Sequence, residues 1–509
     1  MEKYTQNKII AKNTLFLYFR TFIIMLISLY TSRAVLDALG ETDFGIYNLV
    51  GGIVVLFAFM NSAMAAATQR YLNFELGRGN VDQVGRVFSM SVTAHICIAI
   101  FVLVLGETIG LWFVLTQLNI PIDRFVAAQW VYQFSLLGCC VNILRIPYNA
   151  CIIAYERMSF YAYASIIEAI LRLLIVFVLA VGHMDSLILY AILMFLVIGL
   201  VNVIYVAYCH RHFTTSHYHY FWDKPLFKQL MSFSGWSMFG SLASAGVGQG
   251  MSILLNVFYG VALNAALGMS HQVHSAVSSF VSSFQTAFTP QIVKNYAAKQ
   301  QQEFITLICR SSRLSYCLVF IFAPALIVCI NPILHAWLTI VPEFTDAFAI
   351  TTILLCMIDA LSGPLWVSVQ ATGNIKRYQI ILTTISLLNI PFMYILLVLN
   401  FSPVIVVSVR VVIGVIIHFV RLGYIGRCLD FPISYYMKDV MLRVLIVTIT
   451  SLPLSLYLVK FTRRLHVALI VFIVIVIQNA ILSFFVGLSK AERSSVVSMA
   501  KQKIRRTQH

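Results

Sequence analysis

The chain is 509 residues long, 60% hydrophobic and only 11% charged, a balance that a soluble domain could not satisfy by burial alone, so lipid must be its solvent. Its net charge of +16 would be compatible with nucleic acid, but most basic residues sit in alternate short connections between apolar runs. There they read as a topology signal facing anionic headgroups, with no nucleic acid as partner.

A bilayer crossing takes about 20 apolar residues, and such runs predict an all-α polytopic membrane protein of about fourteen spans: 13–37, 45–67, 87–115, 126–154, 160–182, 186–208, 229–257, 264–290, 305–328, 345–370, 377–399, 403–424, 437–459 and 466–487. The connections average roughly 13 residues, too few for an extramembrane domain. The first run, Thr14 to Leu36, is too long for a signal-peptide core, contains Arg20 and precedes no clear cleavage site, so it is expected to stay as the first span. With the N-terminus inside, the inner segments collect basic residues from Lys3, Lys8 and Lys12 through to Lys438, while the outer ones hold only Arg124, Lys460, Arg463 and Arg464. That asymmetry predicts a multi-pass membrane protein with both termini cytoplasmic. Trp112, Trp130 and Trp337 then fall near the outer interface, and the tail with Lys490, Arg493, Lys501, Lys503, Arg505 and Arg506 lies along the inner headgroups.

A weak repeat organises the spans. A helix running from Gly45 to Thr68-Gln69-Arg70 matches one running from Ala266 to Thr289-Pro290-Gln291, an offset of 221 residues that encloses six spans. An even number implies two lobes in the same orientation. The expected division is an N-terminal lobe over 1–208, a cytoplasmic interlobe linker over 209–228, a C-terminal lobe over 229–424, and two trailing helices with the basic tail over 425–509.

Ionisable groups within spans cost about 2.5 to 3.5 kcal/mol each and need a reason to be there. Glu168 and Arg172 stand one turn apart mid-span and can pair as a structural ion pair; Arg20, Arg145, Arg410 and Asp359 also lie well inside their spans. Arg33, Arg310, Arg313 and Arg443 are close enough to helix ends to snorkel. Arginines outnumber the intramembrane acids Glu107, Glu168 and Asp359, which implies a positive cavity suited to an anionic passenger. Ser237, Ser241, Ser244, Gly248 and Ser252 stripe one face of the seventh span, and the eighth carries His271, Ser275, Ser278 and Ser282 with His274 and Gln285 adjacent. Such stripes either permit tight helix packing or wall a watery cavity, where His271 or His274 could accept a coupling proton.

The ten cysteines are scattered and read as packing residues, and the loop histidines His210, His212, His217 and His219 lack cysteine partners, so a solvated linker is preferred to a metal site. No phosphate-binding glycine loop, nucleophile elbow or zinc-protease motif occurs, and no outer loop is long enough for a membrane glycosyl polymerase or ligase. The chain is therefore not expected to be an enzyme or to hold a cofactor, and a coupling ion, H+ or Na+, is left open.

The stretch Thr31-Ser32-Arg33-Ala34-Val35-Leu36-Asp37-Ala38-Leu39-Gly40, then Asp43-Phe44-Gly45-Ile46-Tyr47, and a helix ending Ala66-Ala67-Thr68-Gln69-Arg70 resemble the opening of Wzx-type polysaccharide repeat-unit flippases. Arg145-Ile146-Pro147 and Ala371-Thr372-Gly373-Asn374 are also in that style. This family belongs to the MOP superfamily with the MATE exporters and MurJ flippases. The resemblance implies a two-lobed bundle whose first, second, seventh and eighth helices line a cavity, with arginines holding the pyrophosphate of an undecaprenyl-linked sugar. On this reading the cavity residues are Arg20 first and Arg33 second, with Arg145, Arg172, Arg410, Asn61, Ser241, His271 and Gln285 added from the polarity of their spans, and Asn48 offered by the second helix. Glu168, Asp359, His271 and His274 are the candidates for ion coupling. The partners implied are a lipid-linked oligosaccharide of lipopolysaccharide or capsule biosynthesis, membrane lipids, and a polymerase and glycosyltransferases of the same pathway. A MATE-like drug or cation exporter is the alternative on the same fold.

Overall fold

The computed structural model describes residues 2–55, 58–116, 118, 120–181, 185–259, 261–338, 341–462, 464–490 and 492–494; Lys501, Lys503, Arg505 and Arg506 of the expected basic tail and Arg463 lie outside them. Among the described residues there is no β-strand. In chain order the α-helices are α1 (Glu2–Val55), α2 (Ala58–Gly77), α3 (Val81–Leu105), α4 (Leu111–Thr116), α5 (Phe125–Ala154), α6 (Met158–Val181), α7 (Ser186–His212), α8 (Lys224–Tyr259) and α9 (Val261–Ala297). They continue with α10 (Gln301–Val328), α11 (Ile330–Trp337), α12 (Thr345–Thr372), α13 (Lys376–Leu387), α14 (Asn389–Val398), α15 (Pro403–Cys428), α16 (Ile433–Tyr436), α17 (Leu442–Leu458) and α18 (Leu465–Leu482).

Twelve stretches of these helices are long and apolar enough to cross a membrane. They coincide with twelve of the fourteen spans expected from hydropathy. The other two are helical as well: the 45–67 span is the end of α1 and the start of α2, and the 264–290 span lies within α9, whose serines, histidines and glutamines keep its hydropathy low. Both helices run on past the residues that mark the repeat, α2 to Gly77 and α9 to Ala297.

One residue breaks α1 into two helices. Gly40 has φ of 77° and ψ of 167°, a left-handed conformation that costs glycine little and any other residue strain. The chain thus changes direction between Arg20 and Tyr47.

The chain divides into two compact units, the first made of 1–242, 286–299 and 373–376, the second of 243–285, 300–372 and 377–509. Helices α8 and α9 are each shared between units. In the first unit the segment between α7 and α8 is docked: Ser216 is fully buried, Tyr155 Oη and Thr215 Oγ1 lie 2.8 Å apart, and the His219 N–H donates to Ser89 Oγ at 3.3 Å. Within the segment 209–228 these contacts anchor Thr215, Ser216 and the His219 backbone, while the side chains from His217 to Tyr220 stay exposed. Its histidines make ring contacts, His210 on His217 and His212 on Tyr208. In the same unit Gly373, with φ of 78°, lies so close to Arg70 that a Cβ there would stand 2.7 Å from the guanidinium. Two motif segments about 300 residues apart in sequence are thereby in contact.

The second unit holds a sealed ion network at the base of α10. Arg313 is only 2% exposed in its side chain. Its Nη2 donates to both carboxylate oxygens of Glu492, at 2.8 and 2.6 Å, and its Nη1 donates to the Asp439 carboxylate and to the Asp439 carbonyl at 3.2 Å. That carbonyl belongs to a single π turn, Met437–Met441, where the altered ladder frees backbone acceptors. Arg310 reaches Glu492 at 3.1 Å and Arg443 reaches Asp439 at 3.2 Å. These arginines therefore do not snorkel; they fasten the region after α18 and the entry to α17 onto α10.

Burial alone would push the Glu492 carboxyl up, but Arg313, the Ser489 backbone N–H and Arg310 hold it below the ordinary carboxylate value. A carboxyl depressed in the folded state contributes stability above its unfolded value and loses it as pH falls through the folded one. Thermal unfolding in detergent is therefore expected to shift to lower temperature on acidification below the carboxylate range, and Glu492→Gln should remove part of that slope. Arg313→Ala, which takes the shared guanidinium from Glu492 and Asp439 and leaves each with one arginine, should cost about 3 kcal/mol, and an unchanged midpoint would show the network to be idle.

Candidate functional site

In the first unit a cavity of about 570 Å³ gathers charges from three helices. Arg20 comes from α1, Arg145 from α5, and Glu168 with Arg172 from α6. Arg145 Nη1 donates to Glu168 Oε2 at 3.0 Å, and Arg172 Nη2 donates to Glu168 Oε1 at 2.6 Å. Each carboxylate oxygen thus serves one guanidinium. The i, i+4 spacing on α6 explains the second contact; the first needs the packing of α5 beside α6. Pro147, two residues beyond Arg145, removes one backbone donor within α5 and is the kind of residue that loosens a helix locally.

Arg20 takes no carboxylate among the described residues. Its guanidinium carbon lies 4.5 Å from the centre of the Tyr161 ring, a cation–π contact that holds the charge without neutralising it, and its Nε is buried with no hydrogen-bond partner. Tyr205 stands under Arg145 in the same way at 5.4 Å. Tyr47 and Tyr190 complete an aromatic wall, their rings packed edge-on with centres 4.8 Å apart. The cavity therefore offers three guanidiniums against one carboxylate, framed by four tyrosines.

What positions this wall is a second arginine cluster at the far end of the same helices. Arg124, just before α5, donates through Nε to Asp43 at 2.7 Å and through Nη1 to Asp185 at 2.5 Å. Asp43 sits three residues beyond the Gly40 break, and Asp185 caps α7 by accepting from the Leu187 and Ile188 N–H groups at 3.0 and 3.2 Å. One guanidinium thus ties the returning half of α1, which brings Tyr47, to the start of α7, which brings Tyr190. Charge counting placed Arg124 among the few outer basic residues but could not pair it with acids 81 positions before and 61 after it.

The other expected site residues are elsewhere. Arg33 is exposed and makes an i, i+4 contact with Asp37 at 3.9 Å, so it does not line the cavity. Ser241 is exposed and its hydroxyl donates back to the Ser237 carbonyl at 3.1 Å. Asn61 and Asn48 lie outside the residues whose side chains are described. Arg410, His271, His274, Gln285 and Asp359 belong to the second unit. There Arg410 interacts electrostatically with Asp359, Cys356, His271 and His274. His274 Nδ1 lies 3.1 Å from Cys356 Sγ and its Nε2 3.2 Å from Ser278 Oγ, while the Gln285 amide packs against Gly363. No group of three or more His, Cys, Asp or Glu residues suited to a metal occurs among the described residues.

No protein-family model matches the chain, and no curated protein sequence does. Solved structures do. An outward-facing multidrug-resistance MATE family transporter of the MOP superfamily superposes with a TM-score of 0.70 at 11% identity, covering 84% of this chain and 96% of that one. A MATE transporter in its straight conformation gives 0.70 at 12% identity, covering 85% and 97%. A MOP superfamily transporter from Pyrococcus furiosus, described as having a binding pocket of reverse polarity that suggests a different function, gives 0.67 at 12% identity, covering 84% and 96%. The chain has the fold of these transporters.

Because Glu168 compensates two guanidiniums at once, Glu168→Gln should lower the unfolding midpoint more than Arg145→Gln does, since it strands two guanidiniums whereas Arg145→Gln leaves Glu168 paired with Arg172. The Arg145→Gln/Glu168→Gln double variant should cost less than the two singles together. Additive losses in the same thermal assay would mean that the pair is not coupled.

Proposed function

We propose that this chain is a flippase that moves an undecaprenyl-pyrophosphate-linked oligosaccharide, an O-antigen or capsular repeat unit, across the bacterial inner membrane by alternating access. The observation that carries the reading is the excess of guanidinium over carboxylate in one cavity lined by tyrosines. Guanidinium stays charged when desolvated and matches phosphate oxygens two at a time. Tyrosine rings offer flat apolar faces with a hydroxyl edge, which suits a sugar as well as a phosphate.

In the structure Glu168 occupies Arg145 and Arg172, and Arg20 is held against Tyr161. A pyrophosphate in the cavity finds Arg20 without a carboxylate among the described residues and competes with Glu168 for the other two. The internal carboxylate keeps the arginines oriented and limits how tightly the passenger is held, so that release stays feasible. A ligand drives a conformational change only through the difference in its affinity for the two states. A coupling ion, H+ or Na+, has its candidate acceptors in Glu168 here and in Asp359, His271 and His274 of the second unit. The charge asymmetry of the connections supports cytoplasmic termini, and the polymerase and glycosyltransferases of the pathway are the expected partners.

A drug or cation exporter of the same fold is the second reading, and it would call for carboxylates in excess over arginines. Deletion of the gene distinguishes the two: lipid-linked oligosaccharide accumulating on the inner leaflet is expected for the flippase, and drug sensitivity with normal surface polysaccharide would overturn it. Arg20→Ala, at normal protein level, should lower surface polysaccharide about tenfold, the worth of one charge-assisted contact, with Arg20→Lys retaining part of the output.

A further inference from the structure

A second hollow in the first unit carries charge that the transport reading does not use. It has a volume of about 390 Å³ and lies where the first turns of α8 meet the turn that enters α13. Lys228 and Lys376 line it together with Gln229 and Ser232, and no acidic residue does. Neither lysine is paired with a carboxylate among the described residues. Lys376 Nζ instead sits 5.3 Å from the centre of the Trp236 ring, and Phe233 and Tyr71 extend that aromatic floor. Asp223, the acid just before α8, is engaged elsewhere, accepting from the Leu226 N–H at 3.0 Å and contacting Arg86 at 3.8 Å.

We propose that this hollow, formed by Lys228, Lys376 and Trp236, is a binding site for the phosphate headgroup of an anionic phospholipid. Three features favour a lipid phosphate as occupant. The two ammonium groups have no internal counter-ion. The lining segment from Gly373 to Lys376 leads directly into α13, a 12-residue helix, and so brings that helix's positive end to the hollow. The floor is made of tryptophan, phenylalanine and tyrosine, rings that settle at the headgroup level of a bilayer, and the site belongs to the ends of two helices apolar enough to span one. Basic pockets of this kind between spanning helices select anionic lipid over zwitterionic lipid. The site is distinct from the Arg20 cavity and does not depend on what the protein transports.

The test uses the full-length protein in detergent. Native mass spectrometry with added phosphatidylglycerol should show a bound lipid retained in preference to phosphatidylcholine, and Lys228→Gln/Lys376→Gln should weaken retention about thirtyfold, each lysine near an anionic headgroup contributing roughly a fivefold gain. Lys438→Gln, which removes a charge outside the hollow, should leave retention unchanged. Should the double variant fold poorly, the fluorescence of the native chain serves instead: brominated phosphatidylglycerol should quench it more than brominated phosphatidylcholine, and Trp236→Phe, which keeps the other five tryptophans, should reduce that difference. Equal retention of the two lipids, an unaffected double variant, or equal quenching by both would overturn the proposal. Displacement of the lipid by inorganic phosphate at equal concentration would also overturn it, by making the site one for free anions.

Discussion

A charge within a bilayer has to be neutralised, hydrated or shared, and the first unit is organised around one carboxylate that is shared. Glu168 binds a guanidinium with each oxygen, one from its own helix and one from α5. Without it, Arg145 and Arg172 would repel each other across a space with few counter-ions. With it, they stand at fixed positions beside Arg20, and the cavity keeps a surplus of positive charge that no acid cancels. The rest of the unit serves that arrangement: the Gly40 break returns the chain toward the cavity, and Arg124 fixes the ends of the helices that carry the tyrosines.

The second unit meets the same constraint with the opposite result. Arg313 is enclosed by two carboxylates and a backbone carbonyl until almost none of its surface is left. A guanidinium so fully enclosed has little to offer a ligand, and its role is to hold helices. Arg145 and Arg172 keep 21% and 40% of their side-chain surface open. Depth in the bilayer therefore does not separate structural from ligand-facing arginines, whereas the count of internal acceptors does.

Much of this was legible in the sequence where the signal was periodic. Apolar runs located the helices, and mid-span charge singled out Arg20, Arg145, Glu168 and Arg172, which do share one cavity. The signal failed where position depended on a single distant contact. Arg33 carries a family-style motif and yet is exposed beside Asp37. Arg124 looked like an ordinary loop charge, since neither Asp43 nor Asp185 stands at a spacing that marks a pair. The lysine-lined hollow was equally hidden, as Lys228 and Lys376 are about 150 positions apart and read individually as topology signals.

The composition of the first unit also bears on how the protein is made. Residues 286–299 and 373–376 are integral to it, although the remainder ends at 242. A ribosome delivering this chain into a membrane releases α1 to α7 long before the short pieces that finish their bundle. During that interval the half-made unit must wait with Arg70 lacking its neighbour at Gly373 and Glu156 lacking Gln291 and Lys294, which later bond it at 2.6 to 2.8 Å. Assembly thus cannot proceed strictly from the first bundle to the second. A gene severed between α7 and α8 would yield a first fragment that lacks part of its own unit and a second that holds all of the second unit together with the pieces that finish the first, and the membrane would have to bring the two together before the first unit could close.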